Sequence, residues 1–123
     1  MAAPRGDTDR CAEAHPEASA RDLQTEQTLC WAIMQARQVT FSYRKDATRV
    51  FFQPTVLYLS ENGKVNVGGT VVREPPAGGT ARERHVFEVA RMGRLVVTSI
   101  RFDPDPLFDR RDARYEAGII CPV

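Results

Sequence analysis

Cysteine is scarce in this chain and odd in number: Cys11, Cys30 and Cys121 stand far apart. That excludes a disulfide framework and a thiolate zinc centre, and it reads as reduced thiols in a cytoplasm. Histidine is limited to His15 and His85, and lysine to Lys45 and Lys64. No apolar run approaches the ~20 residues that a membrane-spanning helix needs, so no membrane partner is expected. The first ten residues contain Arg5, Asp7, Asp9 and Arg10 and lack the apolar stretch of a signal peptide. No repeat recurs at a period of roughly 20–50 residues, which excludes a solenoid or propeller. Gly-x-Ser-x-Gly, His-Glu-x-x-His, Cys-x-x-Cys and a Walker loop are all missing from the sequence. The chain is therefore expected to be no enzyme and to need no cofactor or metal.

The composition that remains is globular, with 42% hydrophobic and 27% charged residues in 123 positions. One domain of this length buries about two-thirds of its unfolded surface without covalent staples. The net charge of +1 conceals a pattern. Residues 1–20 and 103–123 are each net acidic, at −2, and residues 21–102 are net basic, at +5. Fifteen of the seventeen basic side chains are arginine. Arginine suits two-pronged recognition of phosphate or carboxylate, although the base composition of a gene produces the same bias.

Residues 1–20 are rich in alanine, proline, glycine and charge, and read as a flexible acidic lead-in. Ser19-Ala20-Arg21-Asp22 fits a capping box, and the spacing of Leu23, Cys30, Ile33, Met34 and Arg37 predicts an amphipathic helix over about 20–37. The period then falls to two. Val39, Phe41 and Tyr43 alternate with polar residues in a first strand, and a second runs from Val50 to Leu59 with Pro54 marking an edge, bulge or bend. Asn62-Gly63 predicts a type I′ hairpin into a third strand, Lys64 to Arg73, in which Gly68-Gly69 signals a bulge or sharp bend. Pro75 to Gly79 reads as a loop, and further strands are expected at about 83–89 and 95–102, joined through Met92-Gly93-Arg94. Residues 103–123 form an extension whose Leu107, Phe108, Tyr115, Ile119, Ile120 and Val123 are too apolar for a free tail. The expected fold is mainly β: one N-terminal helix and a small five-stranded antiparallel barrel over 21–102.

Few residues carry chemistry. His15 falls in the lead-in, Cys30 on the apolar helix face, and Asp103, Asp105, Asp109 and Asp112 in strand-stopping turns, where turn roles outweigh cation binding. The informative cluster is Arg82, Arg84, Arg91 and Arg94, with Arg44 and Lys45 at the end of the first strand. Arginines converging near Tyr43 or His85 would hold an anion by charge-assisted hydrogen bonds. The bland reading is a solvated basic face.

Several stretches resemble the WYL domain family. They are Ala32-Ile33, Val39 to Arg44, Arg49-Val50 with Pro54, the block Arg84 to Leu95, and Val97-Thr98 with Phe102. The Arg84 block looks like that family's Arg-x-Phe element followed by an Asp-Arg-Ile segment. The resemblance spans about residues 29–102. It implies an Sm-like, SH3-type small barrel, a bacterial source, and a ligand-sensing regulatory role in transcription, with nucleic acid or nucleotide-like anions as ligands. Tyr43, Arg84 and Arg91 match the family's recurrent polar positions. Three departures stand out. Val65-Asn66-Val67 replaces the Trp-Tyr-Leu signature, Ala90 precedes Arg91 where the family has aspartate, and residues 1–20 are too short and polar for a DNA-binding helix-turn-helix.

The expectation is thus a stand-alone regulatory domain that binds a nucleotide or single-stranded nucleic acid through Tyr43, Arg44, Asn66, Arg84, His85 and Arg91. The alternative is a protein-interaction or homo-oligomerisation module with no small ligand, in which an open strand edge pairs with a partner protein or a second copy.

Overall fold

The computed structural model describes residues 22–73 and 81–122. The lead-in, the Ser19 capping box, and the Pro75–Gly79 loop lie outside the described residues, as do His15, Cys11 and Val123.

The helix α1 spans Leu23–Gln35. Its N-cap is Asp22, whose carboxylate accepts the Thr25 N–H at 3.0 Å and the Thr25 hydroxyl at 2.6 Å. That satisfies one of the backbone donors left over at a helix start. Ala36 ends the helix in the left-handed region at φ 54°. The buried face is Glu26, Leu29, Ala32 and Ile33. This corrects the expected face in part: Ile33 is buried and Cys30 half-buried, but Leu23 and Met34 point outward, at 60% and 72% exposure, as does Trp31 at 47%. Residues 29–34 are apolar without a break, and periodicity cannot choose a side in such a run.

The strands are β1 (Arg37–Tyr43), β2 (Arg49–Leu59), β3 (Val65–Arg73), β4 (Ala81–Glu88), β5 (Met92–Arg101) and β6 (Ile119–Pro122). They form one antiparallel sheet in the order β4-β3-β2-β1-β5, with β6 added to the far half of β2. The protein is mainly β with one helix, and its sheet is open and antiparallel, with one strand more among the described residues than the five expected. There are six strands, and among the described residues β4 and β5, the two ends of the path, share no ladder. The sixth strand was missed because it is four residues long and ends in Pro122.

Four register shifts interrupt this sheet, one of them where Leu57 pairs with Cys121 and Tyr58 with Ile119, which leaves Ile120 as an extra residue on β6. Pro54 pairs with Gly69 and Val56 with Gly68, so Thr55 is an extra residue on β2. Here the backbones touch: a Cβ on Gly69 would lie 2.2 Å from the Gln53 carbonyl oxygen. Only glycine fits opposite Pro54, which accounts for the glycine signal in the sequence. On β5, Thr40 pairs with Val96 and Ser42 with Gly93, which leaves Arg94 and Leu95 opposite Phe41 alone. A further shift separates the Arg37–Arg101 and Val39–Val97 pairs.

The core lies between α1 and the concave sheet. Leu29 and Ile33 belong to one buried cluster with Val39, Phe41, Phe52, Leu57, Val67 and Val89. Phe87 closes it, its ring 5.0 Å from Phe41, 5.1 Å from Phe52 and 4.8 Å from Tyr43, all edge-on. Edge-to-face rings of this kind add to the area they bury. Cys121 packs on α1, with its thiol 3.7 Å from the Cys30 carbonyl oxygen. No described helix is long and apolar enough to cross a membrane.

Two turns differ from expectation. Asn62 does not take positive φ, so the hairpin is not type I′; Gly63 alone does, at φ 80°. The Gly63 N–H bonds the Ser60 carbonyl at 3.0 Å, as in a three-residue loop ending in a glycine bulge. The type I′ signature lies instead at Arg44 and Lys45, with φ of 55° and 64° and the Asp46 N–H on the Tyr43 carbonyl at 3.0 Å. Between β4 and β5 the chain makes a 3₁₀ turn, Val89–Arg91, earlier than the expected Met92–Arg94 connection.

Candidate functional site

Two turns meet at one end of the sheet. The Arg44 N–H donates to the Arg91 carbonyl at 3.0 Å, the Ser42 hydroxyl to the Gly93 carbonyl at 3.2 Å, and the Arg49 guanidinium to the Arg94 carbonyl at 2.7 Å. These bonds fix the β1–β2 turn against the start of β5. Between the turns lies a groove of about 730 Å³ whose charged lining is Arg44, Lys45, Arg49, Arg91 and Arg94 against Asp46 alone. The Asp46 carboxylate is occupied in its own turn, where it accepts the Thr48 N–H at 2.9 Å.

Backbone geometry marks the same groove. Four described non-glycine residues have positive φ: Ala36 at the helix end, and Arg44, Lys45 and Arg94. A left-handed backbone costs an L-residue roughly 1–2 kcal/mol, and glycine or asparagine ordinarily fills such places. Here three basic residues occupy them, and all three line the groove. Strain of this kind collects at functional sites. Arg94 is also the bulged residue of β5, and bulges re-aim side chains.

A second, more apolar groove of about 860 Å³ adjoins the first and shares Arg44, Asp46 and Arg49 with it. Its walls include Tyr43, Val50, Phe51, His85, Phe87 and Ile100. Phe51 is 47% exposed, and the His85 ring lies 4.4 Å from Phe87. The Tyr43 hydroxyl accepts the Glu88 N–H at 3.0 Å, which holds the ring in place, and the Arg44 guanidinium sits 5.6 Å from that ring.

The six residues expected to form one site are divided. Tyr43, Arg44 and His85 line the apolar groove, and Arg44 and Arg91 line the basic one. Arg91 is held by Glu88 at 3.1 Å, and Lys64 reaches the same carboxylate at 3.8 Å. Arg84 is not part of this group. It neighbours His85 on a strand, so the two side chains leave opposite faces, and its guanidinium pairs with Asp105 at 2.7 Å. Asn66 sits on β3 between Tyr58 and Glu88 and lines neither groove. The site residues that sequence reasoning left out are Lys45, Arg49, Phe51 and Arg94. Lys45 and Arg94 carried a signal as members of the basic cluster, whereas Phe51 carried none beyond its place in a strand.

Burial, with the neighbouring Cys121 thiol, pushes the Cys30 thiol up to about 12, which leaves almost no thiolate at neutral pH. Among the described residues no group of three or more His, Cys, Asp or Glu side chains is gathered to hold a metal ion. What the arrangement can do is bind: fixed cations on one side and open ring faces on the other.

No protein-family model, no curated protein and no solved structure matches this chain.

Proposed function

We propose that this protein is a non-enzymatic, ligand-sensing regulatory domain similar to WYL domains, and that it binds a nucleotide or a short single-stranded nucleic acid. The observation that carries the reading is the basic groove, where Arg44, Lys45 and Arg94 hold a strained backbone around one cavity. Phosphates would sit among the five basic side chains. A base would lie in the adjoining groove against Phe51, Tyr43 or His85, because aromatic faces accept any base by stacking. No bond is made or broken; the output is a changed surface. The sheet is read as an Sm-like, SH3-type barrel with an open seam, since four ladder irregularities curve it and a 3₁₀ turn links the strands on either side of the seam.

Fluorescence anisotropy with labelled single-stranded DNA and RNA, at low and moderate salt, tests this. Binding is expected to weaken with salt at a log–log slope of about −0.7 for each phosphate neutralised. Arg44→Ala with Arg94→Ala is expected to weaken binding at least tenfold, and Arg101→Ala, at an exposed arginine that lines neither groove, to leave it nearly unchanged. Equal losses in both variants would overturn the assignment of the groove.

One observation favours a second reading, a protein-interaction module. Leu23, Trp31 and Met34 form an outward stripe on α1, four or three residues apart when Gln27 is included. Absence of nucleic-acid binding at low salt, with a dimer mass that falls to a monomer in Trp31→Ser, would establish that reading instead.

A further inference from the structure

The face of β4 that carries Arg82 and Arg84 holds a separate groove of about 320 Å³, whose charged lining is these two arginines against Asp103 and Asp105. Its sheet wall consists of Gln53, Thr55, Thr70, Arg82 and Arg84, contributed by β2, β3 and β4. Every one of these side chains can form hydrogen bonds, and none is a large apolar residue. Such a wall suits an oxyanion and offers nothing to an apolar segment. Its other wall is the chain's own Phe102–Pro106 stretch.

That stretch begins a loop of residues 102–118 that spans the groove between β5 and β6 and joins no ladder. The loop holds itself in shape. Asp105, Asp109 and Asp112 each accept a backbone N–H two residues ahead, from Leu107, Arg111 and Arg114, at 2.9–3.0 Å. Asp105 uses Oδ1 for this bond, which leaves Oδ2 to meet the Arg84 guanidinium at 2.7 Å. Pro104 and Pro106 flank it and restrict its backbone. Beyond this ion pair, the loop is held at its ends by the Phe102 N–H on the Ala36 carbonyl at 3.0 Å and the Leu59 N–H on the Gly118 carbonyl at 2.9 Å, and it rests on the sheet through Tyr115, whose ring lies 4.8 Å from Tyr58. Leu107 stands 74% exposed.

We infer that the Arg82–Arg84 groove is a second anion-binding site, occupied in cis by the Asp105 carboxylate, and that the loop is an acidic strap which a multiply charged oxyanion displaces. The Arg84 side chain is more than half exposed even when paired. An exposed pair shifts an equilibrium by no more than about fivefold. The Arg84–Asp105 pair therefore opens often, and it lowers the apparent affinity of an incoming anion by no more than that factor. This site is independent of the ligand assigned to the Arg44–Arg94 groove.

Limited trypsin digestion of the full-length protein reads the strap, because Arg110 and Arg111 lie exposed within it. The product cut at these two positions is followed by mass spectrometry. Asp105→Asn keeps an oxygen for the Leu107 N–H and removes only the charge, so the turn survives. It is expected to speed this cleavage about two- to fivefold. Tripolyphosphate and citrate, added at low salt, are expected to speed it in the native protein and to have no effect in Arg84→Gln, where the strap is already released. The more effective of the two identifies phosphate or carboxylate as the ligand chemistry. An unchanged rate in Asp105→Asn, or no response to either anion, overturns the proposal. Loss of nucleic-acid binding in the Arg44/Arg94 variant would not bear on it.

Discussion

At the scale of single residues, the strongest sign of function is a cost with no structural return. Arg44, Lys45 and Arg94 hold positive φ, yet the Lys45 and Arg94 side chains make no hydrogen bond, ion pair or ring contact with any described residue, and Arg44 makes only the contact with the Tyr43 ring. The bonds that stitch the two turns use the Arg44 N–H and the carbonyls of Arg91 and Arg94, which glycine would keep. Arg94→Gly relieves roughly 1–2 kcal/mol of strain and adds back about 0.5–1 kcal/mol of unfolded-state entropy. Urea denaturation is therefore expected to show stability unchanged or raised by up to about 1 kcal/mol, while anisotropy shows weaker nucleic-acid binding. Opposite signs in the two measurements are the signature of a residue kept for binding. A variant that loses stability as well would mean that Arg94 serves the fold.

At the scale of elements, α1 depends on its cap. The Thr25 hydroxyl, and then the Thr25 N–H, hold the Asp22 carboxyl below its ordinary range. A depressed folded pKa contributes stability that is present above the unfolded value of about 3.9 and is lost as pH falls through the folded value. Asp22→Ala is expected to cost about 1 kcal/mol at pH 7. The gap to the native protein should close below about pH 4, as thermal melts at pH 7 and pH 3 would record. A gap that persists in acid would assign the cap's worth to geometry alone. The sequence reading reached this helix and five of the strands through period and polarity, but the helix cap is Asp22, three residues after Ser19. The turns resisted because their chemistry is inverted: Asn62-Gly63 has the composition of a type I′ turn, and Arg44-Lys45 has its φ angles. No propensity rule assigns arginine and lysine to left-handed backbone. The separation of Arg84 from His85 was legible, since strand side chains alternate faces. The partner Asp105 was not, because a contact across 21 positions leaves no local pattern.

At the scale of the molecule, the apolar pattern of the C-terminal extension decides where the folding unit ends. A boundary at residue 102 follows from composition, since Asp103-Pro104-Asp105-Pro106 stops a strand and the charge changes sign there. The topology argues for a later end. β6 fills the half of the β2 edge that β1 leaves free, pairing Leu57 with Cys121 and Tyr58 with Ile119. Cys121 is buried against α1. A chain ending at Phe102 would lose that packing together with Tyr115 on Tyr58, and it would present Val56 to Leu59 as an unpaired, largely apolar strand edge. Such an edge is a template for pairing with another chain. Truncation after Phe102 is therefore expected to lower the melting temperature by more than 5 °C, about the effect of 1 kcal/mol in a domain of this size. It is also expected to shift the elution position on size exclusion toward dimers or larger species. A monomer that melts cooperatively at the full-length temperature would confine the unit to residues 21–102 and reduce the extension to the strap alone.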